Sequence, residues 1–441
     1  MSSMTLRLLA LGASVSLIAG CGDESTLPKG ADVGSNPTIA KPTETMIPTV
    51  NVAPAKGWPE GQTPTAADGL TVNAFARGLN HPRSILVLPN GDVLVAESNA
   101  PPKEQSQGFV MKMVMNRAGA GVPSPNKVIL LRDKDGDGMA EVRTNYIEGL
   151  KSPFGLALIG DRLFVANADS VVAFPYQEGA ERIDSIPEKI VDLPGGPLNH
   201  HWTKSLLASE DGKYLYVGVG SNSNVAENGM DMEKDRAAIL QVDIAAKSYR
   251  LFATGLRNPV GMAWEPDTKA LWTVVNERDE LGSDLVPDYL TRVTDGGFYG
   301  WPYSYYGTHV DERVSPQRPD LVAKAIVPDY ALGAHTASLG LAFHDGEGWP
   351  AQFGKGAFIA QHGSWNRNPL SGYKVVFVSF ENGQPQGDLR DVLTGFVNAE
   401  GEALGRPVSA AFDRTSALLV TDDVGNAVWR VVAGPQTNAA N

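Results

Sequence analysis

One pattern recurs six times along this chain and limits the folds open to it. Each copy opens at a Pro, or at a residue in its place, and continues as a short apolar stretch. It then turns and ends in a β-rich run. The copies read GLNHPRSILVLPNGDVLVAE (Gly78 to Glu97), GLKSPFGLALIGDRLFVAN (Gly149 to Asn167), HWTKSLLASEDGKYLYVGVG (His201 to Gly220), GLRNPVGMAWEPDTKALWTVVNE (Gly255 to Glu277), AHTASLGLAFHDGEGWP through GAFIAQHG (Ala334 to Gly363) and LGRPVSAAFDRTSALLVTDD (Leu404 to Asp423). Pro82 and Leu94 lie twelve apart, an offset kept by Thr203 and Leu215, Pro259 and Leu271, and Pro407 and Leu419. Strand, Gly-bearing turn, strand is the hairpin reading of this spacing. The runs DVLVAE, RLFVAN, YLYVGVG and LLVTDD are β-branched and aromatic enough for buried strands. Copies that begin roughly 50 to 80 residues apart fit an array whose units must stack to bury their faces. A six-bladed β-propeller is the natural closure, because radial repetition protects sheet edges. A pair of β-sandwiches or a β-helix is the alternative. The expected fold class is all-β, with long loops gathered on one rim, where function concentrates.

The 441 residues, 42% hydrophobic and 20% charged, are ample for a large core. A net charge of −13 and the lack of a basic stripe argue against a nucleic-acid partner. Arg7, the apolar run Leu8 to Ala19 and the small residues before Cys21 describe a secretory signal. Ile18-Ala19-Gly20-Cys21 is also similar to the bacterial lipobox, and Cys21 is the sole cysteine. The chain is therefore expected as residues 1–20 lipoprotein signal peptide, 21–66 flexible Pro/Thr-rich linker, 67–433 six-bladed propeller and 434–441 frayed tail. A lipid on Cys21 would anchor it to a membrane. Gly22, rather than Asp, favours the outer membrane, so a periplasm-facing or outer-membrane lipoprotein of a Gram-negative bacterium is expected.

Three polar clusters fall where strands enter or leave the repeats. They are Asn199-His200-His201-Trp202-Thr203-Lys204, Arg257-Asn258-Pro259, and the pair His335-Thr336 with His362-Gly363-Ser364-Trp365-Asn366-Arg367. In a propeller such loops converge on the axis, so separate repeats can deliver a base, a guanidinium and amides to one pocket. Adjacent His200 and His201 cannot both point inward. Tryptophans 202 and 365 are candidates to touch substrate, although inter-blade packing is their commoner role.

Taken together, HWTKSLLASEDGKYLYVGVGSNSN, GLRNPVGMAW, NERDELGSDLVPDYL, DGGFYGWPYSYYG and AQHGSWNRNPLSGYKVV resemble the soluble sugar dehydrogenases that depend on pyrroloquinoline quinone (PQQ). The nearest subgroup is the L-sorbosone dehydrogenase-like and aldose sugar dehydrogenase-like proteins. The resemblance implies a six-bladed quinoprotein that oxidises an aldose, a sorbosone-like sugar or a related polyol. A His takes the hydroxyl proton, hydride passes to the quinone, a calcium ion polarises the quinone carbonyl, and electrons leave to an external acceptor, a soluble carrier or a membrane quinone. It implies His201 as base and Arg257 against the quinone oxygen, with Asn258 bonding cofactor or base and Arg406 pairing with a cofactor carboxylate. His335, His362 and Arg367 are the remaining expected cofactor contacts. A structural blade-to-blade salt bridge is the alternative for Arg257. The segment around Arg278 and Asp279 matches a stretch that holds the quinone-bound calcium in the family. This chain departs from the glucose-oxidising members at His335, Val260 and around Arg367, which leaves the substrate open.

A separate metal candidate is Asp133-Lys134-Asp135-Gly136-Asp137-Gly138, with Glu141 following. Carboxylates at alternate positions, a Gly for the sharp turn and a later acid suit Ca²⁺; a plain acidic turn is the alternative. Two competing functions also stand: a Ca²⁺-dependent lactonase-like hydrolase, and a non-catalytic binding propeller on a lipid anchor.

Overall fold

The computed structural model describes residues 22–43, 49–102 and 109–434. Cys21, the expected signal peptide and residues 435–441 of the expected tail lie outside the described residues. Each sequence copy supplies the first two strands of one blade. These pairs are Pro82–Val87 with Val93–Glu97, Leu156–Ile159 with Arg162–Ala166, and Lys204–Ala208 with Tyr214–Val219. Pro259–Trp264 with Leu271–Val275, Ser338–His344 with Gly356–Gln361, and Pro407–Phe412 with Leu418–Asp422 complete the set. The shared offset places a leucine of the second strand opposite the end of the first: Leu86 faces Leu94, and Trp264 faces Leu271 across their turns. Two more antiparallel strands complete each blade, so the described residues form six sheets of four or five strands and one short hairpin.

The first strands touch their neighbours in a closed ring, which places them innermost. Gly261 shows how tight that ring is. A Cβ there would lie 2.6 Å from Leu339 O and 2.7 Å from Leu341 N in the next blade. The core is a set of apolar wedges between adjacent blades, such as Leu94, Leu130 and Val165 between blades 1 and 2. Trp272, Ile359 and Val378 fill the space between blades 4 and 5. Blade 6 closes the circle with a strand from the start of the propeller: Leu70–Arg77 pairs antiparallel with Ala427–Ala433. The two ends of the propeller therefore share one sheet, and no blade is left with an open inner face.

In every blade the loop before the first strand and the loop after the second emerge at the same end of the ring. The longest additions also reach this end. The helix Phe109–Arg117, absent from the sequence expectation, sits in the blade 1 loop. The blade 4 insertion climbs to the same end, where Trp301 Nε1 donates to Asn224 O at 2.9 Å and Arg313 Nη1 to Asp279 O at 3.0 Å.

The segment expected as a flexible linker differs over its described residues. Val33–Gly34 pairs with Tyr330–Ala334 as a fifth strand of blade 4, and Thr65–Ala66 pairs with Gln384–Thr394 in blade 5. Asn51 bridges Asn366, and Ala55 bridges Ala403. Trp58 stands edge-on to Trp429 at 5.3 Å and to Phe396 at 5.5 Å, and its Nε1 donates to Asp422 at 2.7 Å. A Pro/Thr-rich stretch lacks the apolar residues for a core of its own. It can still satisfy open sheet edges and buried N–H groups supplied by another element. Truncation at Trp58→Ala is expected to cost about 3 kcal/mol in urea unfolding; a cost near zero would mean this residue rests loosely on blade 6.

Candidate functional site

The polar residues ahead of the first strands and behind the second strands meet at one end of the ring. A recurring bond sets their backbone. A side chain at or just past the end of a second strand accepts from a backbone N–H ahead of the first strand of its blade. Glu97 takes Asn80 N–H at 2.7 Å, Asn167 takes Lys151 N–H at 2.9 Å, Asn222 takes His200 N–H at 3.0 Å and Asp422 takes Arg406 N–H at 2.7 Å.

His201 lies in the lead-in loop of blade 3. Its Nδ1 is 2.7 Å from Ser221 O. A carbonyl can only accept, so Nδ1 carries the proton and Nε2 keeps its lone pair. Burial, with the Arg257 guanidinium adding to it, holds this imidazole well below its usual value. It is thus a neutral, oriented imidazole. The buried Lys204 ammonium donates to the carbonyls of Trp202 at 3.1 Å and His201 at 3.4 Å, pinning the same loop. Gly220 leaves the room required: a Cβ there would sit 2.2 Å from Asn258 Oδ1 and 2.5 Å from His201 Cβ. Asn258 and His201 therefore lie side by side, and the buried Asn258 Oδ1 has no hydrogen-bond partner among the described residues. Trp202 packs edge-on to Phe154 at 6.3 Å, with the Arg83 guanidinium 5.8 Å from its ring.

Arg257 is 2% exposed and donates to Glu277 O at 2.6 Å and to Asn224 Oδ1 at 3.0 Å. It also pairs with Asp279 at 3.1 Å. The other oxygen of Asp279 accepts from Asn366 Nδ2 at 2.9 Å and lies 3.5 Å from His335 Nδ1. Burial opposes ionisation of Asp279, but Arg257 and His335 outweigh it and hold the carboxyl at about 2. His335 Nε2 donates to Gly282 O at 2.9 Å. Both its ring nitrogens face acceptors. Burial would lower its pKa, yet Asp279 raises it above the ordinary value. Arg257 thus makes its ion pair within blade 4, beside His201, and not from blade to blade.

Arg406 lies over the Tyr373 ring at 4.8 Å and donates to its hydroxyl at 3.0 Å. It is buried without an ion pair among the described residues, and its Nε has no partner. Next to it is a cluster the sequence reading passed over. Asp423 accepts from His362 Nε2 at 3.0 Å, pairs with Arg83 and lies 3.6 Å from His81 Nε2. Burial would raise the Asp423 carboxyl, but His362, His81 and Arg83 hold it far below the carboxylate range. Burial lowers both imidazoles, His362 to about 4, so near neutral pH Arg83 is the fixed charge opposite Asp423. The Arg83 Nε is also unpartnered. The signal was present in the repeat itself: His81-Pro82 occupies the place of Asn258-Pro259.

One expectation is corrected. Arg367 is turned away from the pocket: its guanidinium donates to Ser283 O at 2.9 Å, Pro369 O at 3.1 Å and Ser25 Oγ at 3.1 Å, because the loop leaves the axis after Asn366. The Arg278 side chain is fully buried and clamps the blade 4 insertion through Asp311 at 3.1 Å, Pro302 O at 2.9 Å and Ser304 O at 2.7 Å. The Asp279 carboxylate is likewise engaged, by Arg257, Asn366 and His335, so the calcium expectation for this segment rests on its backbone carbonyls. Asp133, Asp135, Asp137 and Glu141 do gather, each offering an oxygen within 4.8 Å of the others. They join the third and fourth strands of blade 1, at the end of the ring opposite the pocket.

The donor set suits a polyanionic planar cofactor. Arg83 and Arg406 carry unsatisfied N–H groups, Asn258 and Asn366 carry unsatisfied amide oxygens, and these buried atoms require partners.

A family model described as TrAA12-like matches residues 64–287 and 318–433. An uncharacterised protein of Borreliella burgdorferi is 27% identical over 294 residues, covering 64% of this chain and 76% of that protein. A PQQ-dependent sugar dehydrogenase of Hypocrea jecorina is 24% identical over 55% of this chain, and the match spans 57% of that enzyme's length. The calcium structure of the Trichoderma reesei family AA12 enzyme superposes with a TM-score of 0.69 at 21% identity, covering 88% of this chain and 99% of that one. The holo PQQ domain of Coprinopsis cinerea pyranose dehydrogenase gives 0.68 at 20% identity, covering 87% and 100%. At these identities the solved structures show a shared fold.

Two measurements follow from the geometry. Calcium at 100 times its Kd is expected to add about 2.7 kcal/mol of stability through the 133–141 loop. Asp135→Ala should abolish that gain, and an unchanged melting temperature would leave the loop a plain acidic turn. His362 ordinarily titrates near about 6.5 but in the folded state near about 4. The unfolded chain then binds more protons between these values. The stabilisation is complete above about pH 6.5 and is lost as pH falls toward 4, by at most about 3 kcal/mol. His362→Gln should flatten that part of the stability curve.

Proposed function

The chain belongs to the TrAA12-like family, and from that premise we propose that it is a PQQ-dependent oxidoreductase acting on a CH–OH group of a sugar. The observation that carries this reading is the neutral His201, with Nε2 free and Nδ1 tied to Ser221 O, beside Asn258 and Arg257. When bound, the quinone supplies the electrophilic centre that accepts the hydride. Arg406 and Arg83 would hold cofactor carboxylates, each through an Nε–H that has no partner among the described residues. Asn258 would bond the cofactor or the substrate through its open Oδ1. His201 Nε2 receives the substrate hydroxyl proton, and its ring stays in place because Ser221 O fixes the tautomer. Arg257, held by Asp279 and Glu277 O, offers positive charge where negative charge develops. Its ion pair is part of its positioning.

Within the same reading the substrate is an aldose, a sorbosone-like sugar or a related polyol, and the electrons pass to a separate carrier. Calcium enters as the ion of the 133–141 loop. The lipobox-like Ile18-Ala19-Gly20-Cys21 supports a lipid anchor on the periplasmic side of a Gram-negative membrane. A calcium-dependent hydrolase would need free carboxylates converging on the axis, whereas Asp279 and Asp423 are both committed to cations.

His201→Ala is expected to lower kcat of dye-linked sugar oxidation by about 10²–10⁴-fold while PQQ binding, followed by its absorbance, persists. Arg406→Ala should instead weaken PQQ binding. Failure of the wild-type protein to bind PQQ at micromolar concentration would sink the proposal, and full turnover in His201→Ala would sink the base assignment alone.

A further inference from the structure

The N-terminal stretch that joins blade 4 does more than cover a sheet edge. Its contacts converge on the two backbone segments that hold His335. Asp32 Oδ2 accepts from Ala334 N–H at 2.8 Å, immediately before His335. His335 has a φ of 58°, a left-handed conformation that a residue with a Cβ keeps only when its surroundings impose it. On the other side of the ring, Gly282 O receives the His335 Nε2 proton, and the residues around Gly282 are tied to the same stretch. Leu281 O accepts from Thr43 N–H at 3.0 Å, and Asp23 accepts from Ser283 N–H at 2.8 Å. Asp284 accepts from Thr26 N–H at 2.7 Å, Leu27 N–H at 3.2 Å and the hydroxyls of Ser25 and Thr26. Arg367 joins in, bridging Ser283 O and Ser25 Oγ. The imidazole's own backbone and its hydrogen-bond acceptor are therefore both fixed from one strand of chain. The link continues inward through His335 Nδ1, 3.5 Å from Asp279, and from Asp279 to Arg257 at 3.1 Å.

We propose that residues 22–43 form a positioning strap for the active end of the propeller. Asp32 of the strap and Asp284 of the blade 4 loop that the strap binds are the positioning residues. They hold His335, His335 and Asn366 orient Asp279, and Asp279 sets the guanidinium of Arg257. The TrAA12-like match begins at residue 64, so the strap lies outside the region shared with that family. The proposal rests on the oxidoreductase reading for what is positioned, and on the hydrogen bonds alone for how it is held.

The test uses the full chain with Asp284→Ala, Asp32→Asn, His335→Gln and the double variant of Asp284→Ala with His335→Gln. In the apoprotein, amide exchange of the segments 281–284 and 333–336 should quicken by about tenfold in Asp284→Ala, with blade 1 strands unchanged. In PQQ-loaded enzyme, Asp284→Ala should lower kcat by about tenfold with KM within about twofold. The double variant should be no slower than His335→Gln alone, because coupled residues are not additive. Asp32→Asn, which loses the charge but can keep an acceptor oxygen, should fall between Asp284→Ala and the unaltered chain. Unaltered exchange around His335, or additive losses in the double variant, would overturn the strap. Should the unaltered protein show no quinone-dependent turnover, the functional reading fails, and the exchange comparison still decides the strap.

Discussion

A polar side chain at the end of a blade's second strand accepts a backbone N–H just ahead of its first strand, and the functional end of this protein is built on that bond. Glu97, Asn167, Asn222 and Asp422 make it in blades 1, 2, 3 and 6. The loops so held would otherwise bring unsatisfied N–H groups toward the axis, where burial makes them costly. With the backbone fixed, a side chain one position along can be chosen for chemistry. The cost of the latch is a buried acid, and burial pushes Asp422 up to about 6 even though Trp58, Trp429, Gly425 and Arg406 all donate to it.

The same scaffold then separates charge states. His201 sees a carbonyl and a guanidinium and stays neutral. His335 sees a carbonyl and a carboxylate and favours its cation. The two rings occupy like positions in blades 3 and 5, so the opposite directions of their pKa shifts come from their neighbours, Arg257 beside His201 and Asp279 beside His335. Arg83 is paired with Asp423 and Arg406 has no ion pair among the described residues, and each keeps a buried Nε–H without a partner there.

Much of this was legible in sequence. The twelve-residue offset sets a leucine of the second strand opposite the end of the first in four of the copies, and the copies became six blades because each carries two strands that need neighbours on both faces. His201, Arg257, Asn258, His335, His362 and Arg406 do meet at one end. Arg83, His81 and Asp423 were overlooked because each is unremarkable alone and becomes part of a cluster only when blades 1, 5 and 6 close on one another. Arg367 was misplaced because a loop's exit direction is not written in its composition. The linker was misread for a related reason: low apolar content shows that a segment cannot make its own core, and says nothing of edges elsewhere that it can complete.

By itself, then, the sequence determined the repeat, the blade count and the residue types delivered to the lead-in loops, since these depend on local periodicity and turn chemistry. Tertiary structure decided which of those residues face one another, which imidazole is neutral, and that residues 22–43 bind the loops around His335. Those outcomes depend on groups hundreds of residues apart, such as Asp32 and Ala334, and only closure of the ring sets their distances.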